Sequence, residues 1–352
     1  MQAPAVVTFG RTLMDIVIQP LVALPLKHSA AKIDTAKNIP GGSAVNTAIA
    51  LHLLSCPAVV VSAIGRDILG SALKAEIARL GVRTCFATLD GKQTSFCLVA
   101  LAPNGTARYL YTEGADCHQD RKIFDRQDVR NLLKAPSTMH VHFGGVNLLR
   151  GLTGSDFAEY VEGIRSTYPL LTVSMDLSKV LDYGTENQAA IGKADVVFAT
   201  QDEARALVGG QGMLNLQKLG ESILELGAKV FFLKLGSMGS AVFSHSHPRA
   251  QIIQTRNINI KANNLNGPGD VYAASIIRRI CQRGGRHNAM NTPPEQWKAW
   301  GEEATSFALE YITREFISWG RPLTPYNGFG ILTRTTVRSK IFDNDGRDSS
   351  IC

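Results

Sequence analysis

With 352 residues, 45% of them apolar and 19% charged, the chain can bury the core of one large α/β domain or two small ones, and its composition excludes disorder along the body. The formal charge of +7 is not gathered into any run of five basic residues; the densest cluster, Arg278, Arg279, Arg283 and Arg286, reads as a solvated helix face, so no nucleic-acid partner is expected. Cys56, Cys85, Cys97, Cys117, Cys281 and Cys352 lack CxxC spacing and read as free thiols, and with no basic n-region and no apolar run near the ~20 residues of a bilayer span, a cytoplasmic protein without a membrane partner is expected.

Residues 6–10 read as a first buried strand and 15–19 as a second extended run, broken by Pro20 and Pro25. Gly41-Gly42 opens a run, 43–54, with Ala44, Ala48 and Leu51 at helical spacing and Ser43 as its N-cap. Residues 59–64 are a short apolar strand and 71–80 a helix stopped by Gly81. This alternation predicts a parallel βαβ sheet. It is interrupted by two strand-like runs, 94–101 and 107–111, around the hairpin signal Pro103-Asn104-Gly105; with residues 15–34 they predict a small lid beside the main sheet. Strands then recur at 139–143, 170–175, 195–199 and 229–235, with helices at 155–167 and 214–226. Residues 241–243 and 258–260 read as antiparallel edge strands, His245 and His247 as a surface turn beside Pro248, and 297–316 as a helix. The polar end, from about Arg334, reads as frayed.

The stretch Asn266-Gly267-Pro268-Gly269-Asp270 precedes a helix-like run at 271–280. Backbone N–H groups at a helix start have no intrahelical partner and carry the positive end of the macrodipole, so they suit an anion such as phosphate. Glycine lets the backbone approach that anion. A carboxylate there is repelled by phosphate, a cost that makes sense if Asp270 removes a proton from an attacking nucleophile. Other polar residues stand at strand ends, the binding edge of an open parallel sheet. Asp15 and Asn46 suit hydroxyls of a sugar-like ligand, or alternatively serve as a turn carboxylate and a helix-start side chain. Thr200 and Glu203 fit a capping box, or a water network around Mg²⁺ and phosphates. Lys234, Gly236 and Gly239 mark either a hairpin turn or a nucleotide-contacting loop. His140 and His142 alternate on one strand without metal-ligand neighbours, to contact a ligand or fill a polar gap in the core. The P-loop, the Rossmann glycine fingerprint and Gly-x-Ser-x-Gly are absent.

In order along the chain, Gly41-Gly42 with Asn46 and Ala48 is similar to a G-G-x-x-x-N-x-A motif, Gly65-x-Asp67-x-x-Gly70 to G-x-D-x-x-G, and residues 94–115 to a lid hairpin. Residues 194–203 are similar to a segment ending in N-x-x-E, Lys234-x-Gly236-x-x-Gly239 to a nucleotide-side loop, and Gly267-x-Gly269-Asp270 to G-A-G-D. Together these resemble the ribokinase-like (PfkB) carbohydrate kinases, a family that also includes adenosine kinases. The resemblance implies an α/β, ribokinase-like three-layer sandwich with a mostly parallel central sheet and a small β lid. Residues 1–330 would form the kinase domain, with lid segments at about 12–40 and 90–116, followed by a polar tail at 331–352.

The resemblance further implies transfer of the ATP γ-phosphoryl group to a hydroxyl of a sugar or sugar-like substrate, with Mg²⁺. Asp270 would be the base, and the Gly267-Pro268-Gly269 turn with Asn266 the anion hole. Asp15, Gly41, Gly42 and Asn46 would hold the acceptor. Thr200, Glu203, Lys234, Gly236 and Gly239 would face the nucleotide, Glu203 also serving the metal. A homodimer through the lid would suit a lid with an apolar face.

Three departures stand out. Asn264-Leu265-Asn266 replaces the family's Asp-Thr-Thr, which argues against a monovalent-cation site; Pro268 replaces alanine; Thr200 replaces asparagine. They motivate an alternative, a non-catalytic binding or regulatory protein on the same fold. Asn266 is shared with the nucleoside branch, so a nucleoside (adenosine-like) acceptor is a further alternative, with Phe96, Tyr109 and Tyr111 available to pack a base.

Overall fold

A strand that is apolar on both of its faces must be covered on both. Val6, Val7 and Phe9 are wholly buried, as are Val230, Phe231, Phe232 and Leu233 to within 2% exposure, and the chain answers with helices on each side of one long sheet. The computed structural model describes residues 4–19, 33–101, 107–178, 187–209, 215–254 and 267–313. Its strands are β1 (Val6–Gly10), β2 (Leu13–Gln19), β3 (Thr35–Gly41), β4 (Ala58–Gly65), β5 (Arg83–Leu89), β6 (Phe96–Leu101), β7 (Ala107–Tyr111), β8 (His140–Gly144), β9 (Thr172–Asp176), β10 (Val196–Thr200), β11 (Val230–Lys234), β12 (Gly239–Ser244) and β13 (His247–Gln254). Its helices are α1 (Ser43–Leu53), α2 (Ile68–Arg79), α3 (Arg121–Phe124), α4 (Gln127–Lys134), α5 (Gly154–Thr167), α6 (Gln188–Ile191), α7 (Gln201–Val208), α8 (Leu216–Glu225), α9 (Pro268–Gln282), α10 (Arg286–Met290) and α11 (Pro294–Thr313).

Nine strands form the main sheet in the order β13-β12-β11-β10-β9-β8-β1-β4-β5, parallel throughout except for β12 and β13 at one edge. Side chains alternate between two cores. Phe9, Phe143, Phe231 and Leu233 pack with Phe124, Phe157, Ile164, Leu207 and Ile223 from α3, α5, α7 and α8. Val6, Val196, Phe198 and Phe232 pack with Ala48, Leu73, Ile276 and Trp297 from α1, α2, α9 and α11. The result is the expected three-layer, ribokinase-like sandwich. A second sheet, β3-β2-β6-β7, forms the lid; β2 and β6 are parallel, and the other two pairings antiparallel.

The strand order turns back at β1: the chain runs outward to β4 and β5, then crosses to β8 on the other side. That switch point lies at the carboxyl ends of β1 and β8, where Gly10 pairs with Gly144, and open parallel sheets place their binding crevice at such a point.

Several elements differ from the sequence reading. Strands β3, β5 and β13 were not expected. His245 does lie in a turn, but His247 begins β13 and Pro248 follows it, tolerated because β13 is the sheet's edge. Helix α2 starts at Ile68, three residues before the predicted start at 71, because Asp67 caps it. The predicted strand 258–260, the turn 103–105, residues 314–316 of the last helix and the tail 331–352 lie outside the described residues.

Asp67 also explains the G-x-D-x-x-G motif. Its Oδ1 accepts from the Gly70 amide and the Thr94 hydroxyl, and its Oδ2 from the Thr94 amide, each at 2.7 Å. One carboxylate thus caps α2 and ties it to the segment entering β6. Its partial burial favours the neutral form, but these hydrogen bonds win and hold the carboxyl below its ordinary value. Asp67→Ala is expected to destabilise the fold by about 2–3 kcal/mol, the sum of a lost cap and orphaned donors. Urea denaturation checks this, and Asp67→Asn, which keeps one acceptor oxygen, should recover part of the loss.

Candidate active site

Two helices begin at the crevice. Helix α1 starts at Gly42, whose φ of 95° is open to glycine and strained for other residues. Ser43, expected as the N-cap, is instead the first helical residue and makes no capping bond. Its hydroxyl donates to Asp270 Oδ1 at 2.7 Å, so the site takes the group that a cap would have used. Asn46, one turn on, donates from Nδ2 to Asp270 Oδ2 at 2.9 Å. Helix α9 starts at Gly267 in the left-handed region, with Pro268 as its first residue and Asp270 in its first turn. A proline there costs the helix nothing, since that N–H has no intrahelical partner. Asp270 therefore lies where both helix starts meet, and α1 and α9 pack side by side to bring them together.

Asp15 lies in the lid strand β2, 4% exposed. A β-carbon at Gly41 would sit 1.9 Å from its Oδ2, so glycine at 41 makes room for that carboxylate. Gly41 and Gly42 link Asp15 to Ser43 and hence to Asp270. The structure thus unites Asp15, Gly41, Gly42, Asn46, Gly267 and Asp270 from widely separated parts of the chain. Burial pushes the Asp270 carboxyl above its ordinary value, and the nearby Glu203 adds to this; Ser43, Lys234 and Asn46 act in the opposite direction.

Lys234 ends β11 and reaches Asp176, at the end of β9, with Nζ 2.7 Å from Oδ1 and 2.9 Å from Oδ2. Asp176 is 1% exposed. Its carboxyl is pushed upward by burial and by Asp270 and Glu203, and is held down by Lys234. Burial works against the Lys234 ammonium, but the surrounding carboxylates, Asp176 first, keep it charged.

Thr200 and Glu203 form the capping box that their spacing predicts. Thr200 Oγ1 accepts from the Glu203 amide at 3.3 Å, and the Thr200 amide donates to Glu203 Oε2 at 2.7 Å. Gly236 and Gly239 form the turn between antiparallel β11 and β12, closed by the Leu235 amide on the Gly239 carbonyl at 2.8 Å. Of these, Lys234 and Glu203 lie close enough to Asp270 to act on its charge. Gly236 and Gly239 lie just beyond Lys234, at the carboxyl end of β11. Asn264 and Asn266 lie outside the described residues.

The pfkB family carbohydrate kinase model matches residues 3–292. The chain belongs to the pfkB family of carbohydrate kinases. An ATP-dependent 6-phosphofructokinase of Thermoanaerobacterium thermosaccharolyticum is 25% identical over 214 residues, covering 59% of this chain and 63% of that enzyme. The chain thus spans less than two thirds of the length of that curated relative. Ribokinase from Giardia lamblia is structurally similar, with a TM-score of 0.74 at 19% identity over 89% of this chain and 94% of that one. A fructokinase from Xylella fastidiosa with bound ATP gives a TM-score of 0.69 at 20% identity over 88% and 93% of the two chains.

Several residues of this pfkB-family chain escaped the sequence reading. Asp176 carries no motif; its position at a strand's carboxyl end was the available signal. Arg11 and Asp116 form a buried ion pair of 2.7 Å, 3% and 0% exposed. The Thr12 amide, at 3.1 Å, and the Ser95 hydroxyl also donate to Asp116. This joins the root of β2 to the segments before β6 and after β7. Among the described residues no group of three or more His, Cys, Asp or Glu is arranged to hold a metal. Among the described residues, too, the cysteines are free and no helix is long and apolar enough to cross a membrane.

His140 and His142 fill a polar gap in the core, the second of the two roles open to them. Both are fully buried; His140 contacts the Thr172 hydroxyl at 2.5 Å and the Ser174 hydroxyl at 2.7 Å, and His142 contacts Ser174 at 2.8 Å. Burial pushes His142 down to about 3 and His140 well downward, with Lys234 and His142 respectively adding to it. An unfolded chain takes up these protons near pH 6.5, whereas the folded chain resists until far lower pH. Stability is therefore expected to fall as pH drops below about 6.5, by about 2–3 kcal/mol for His142 on reaching about pH 4.5, with His140 acting in the same direction. Denaturation curves across that window check this; His142→Gln should flatten the slope.

Proposed function

We propose that this chain transfers the γ-phosphoryl group of ATP to a hydroxyl of a sugar or sugar-like alcohol, with Asp270 as the base. The observation that carries this reading is the Asp270 carboxylate, held by Ser43 and Asn46 at a glycine-flanked helix start. The hydrogen bonds orient it, and burial raises its proton affinity toward that of a useful base. The start of α9 would receive the migrating group on the amides of Gly269 and Asp270, which have no intrahelical partner. Pro268 contributes no amide but sets the turn. Asp15, Gly41, Gly42 and Asn46 would hold the acceptor, so that its hydroxyl faces Asp270.

The nucleotide would lie on the side of β10 and β11, towards Thr200, Glu203, Lys234, Gly236 and Gly239. Mg²⁺ would neutralise phosphate charge when bound, held through phosphates and through water on Glu203. Phosphoryl transfer depends mainly on positioning and charge stabilisation, which these residues supply. The activities of the relatives, a 6-phosphofructokinase, a ribokinase and a fructokinase, support a sugar acceptor over a nucleoside.

Incubation with ATP–Mg²⁺ and a panel of pentoses, hexoses, their phosphates and nucleosides is expected to give a phosphorylated sugar. Asp270→Asn should then lower kcat by about 100-fold to 10,000-fold while ATP binding changes little, since proton removal is lost and the fold is kept. Undiminished turnover in that variant would exclude Asp270 as the base.

A further inference from the structure

Lys234 raises a physical question that its place at the end of β11 does not answer. A β-carbon added at Gly269 would lie 3.3 Å from Lys234 Nζ. The ammonium is thus set against the first turn of α9, whose unpaired amides are themselves positive. A cation at a helix N-terminus is disfavoured by the macrodipole. It is nevertheless held there by both oxygens of a buried aspartate, in a position that is only 14% exposed. Two positive groups facing one another across a cleft become favourable once an anion sits between them. Pro268 sharpens the point, because it removes one of the amides that would otherwise serve that anion.

The geometry points to Lys234 as a catalytic residue that contacts the transferring phosphoryl group and takes over the charge stabilisation lost at Pro268, with Asp176 as its positioning residue. This rests on the kinase reading above and changes one part of it: Lys234 serves the γ-phosphoryl group instead of the nucleotide in general. Asp176 fixes the ammonium with two hydrogen bonds and balances its charge. Lysine suits this task as a compact charge on a flexible stem.

The test is calorimetric titration of the full chain with ADP and with the non-hydrolysable β,γ-imido analogue of ATP, each with Mg²⁺, beside steady-state kinetics. Lys234→Met is expected to weaken the imido analogue about tenfold, the loss of one charge-assisted contact, and to leave ADP within about twofold. Its kcat should fall about 100-fold or more, the usual effect of deleting one preorganised donor, with the acceptor KM little changed. Because Lys234→Met leaves Asp176 buried without its cation, the neutral pair Asp176→Asn with Lys234→Gln is measured beside it and should lose the same preference for the imido analogue. Asp176→Asn alone should reduce that preference less. Adding Pro268→Ala to Lys234→Met should return about threefold to tenfold of the lost kcat by restoring an amide.

Equal weakening of both nucleotides would make Lys234 a general nucleotide contact and overturn the proposal. Unchanged affinities in both Lys234 variants would leave only a structural ion pair and overturn it equally. A wild-type chain that binds both nucleotides but phosphorylates nothing would remove the kinase reading, while the affinity difference would still decide the role of Lys234. A chain that binds neither would remove both.

Discussion

The candidate site depends on one carboxylate being held where two helices begin. Asp270 belongs to the first turn of α9, yet its hydrogen bonds come from the first two turns of α1, through Ser43 and Asn46. Such a contact requires the helices to approach closely. Ala44, Ala48, Ala273 and Ala274 are all essentially buried in the core shared by α1 and α9, and small side chains permit that approach. The geometry of the candidate site is thus a product of helix packing as much as of the glycine turn. The sheet sets it in turn: a β-carbon on Gly144 would lie 2.7 Å from the Ala44 amide, so the start of α1 rests directly on the end of β8 at the switch point.

Beneath this site runs a seam of polar groups through an apolar interior. Thr172, Ser174 and Asp176 alternate along β9, facing His140 and His142 on β8, and the row ends at Lys234. Hydroxyls meet both ring nitrogens of His140 and one of His142, and burial keeps both rings neutral. At the mouth of the seam the pairing becomes ionic, where a buried charge must have a partner.

Much of this was legible in the sequence where the physics is local. Alternating strands and helices follow from runs that are apolar on both faces. Thr200 and Glu203 stand at the spacing of a capping box and form one. Gly267, Gly269 and Asp270 announce a helix start with an acid in it. What stayed hidden depends on distance along the chain. Ser43 has the ordinary look of a cap, and only the arrival of Asp270 from 227 positions away redirects its hydroxyl. Asp176 and Lys234 are 58 positions apart and have no shared motif. Strand β13 was obscured by Pro248, whose cost vanishes at an edge that sequence alone does not locate.

The Arg11–Asp116 pair has a mechanical consequence. Asp116 gathers the Arg11 side chain, the Thr12 amide and the Ser95 hydroxyl, and Arg11 also donates to Cys117 Sγ at 2.7 Å. Three of the chain crossings between the large and the small sheet are therefore riveted at one point. The roots of β2, β6 and β7 are thereby held to one another, while β3 leaves separately for α1 through Gly41-Gly42, so a tilt of the small sheet would carry those three roots together. Asp15, borne by the strand that leaves that point, would move with those roots, so on the proposed reading the seat of the acceptor and its cover would shift as one.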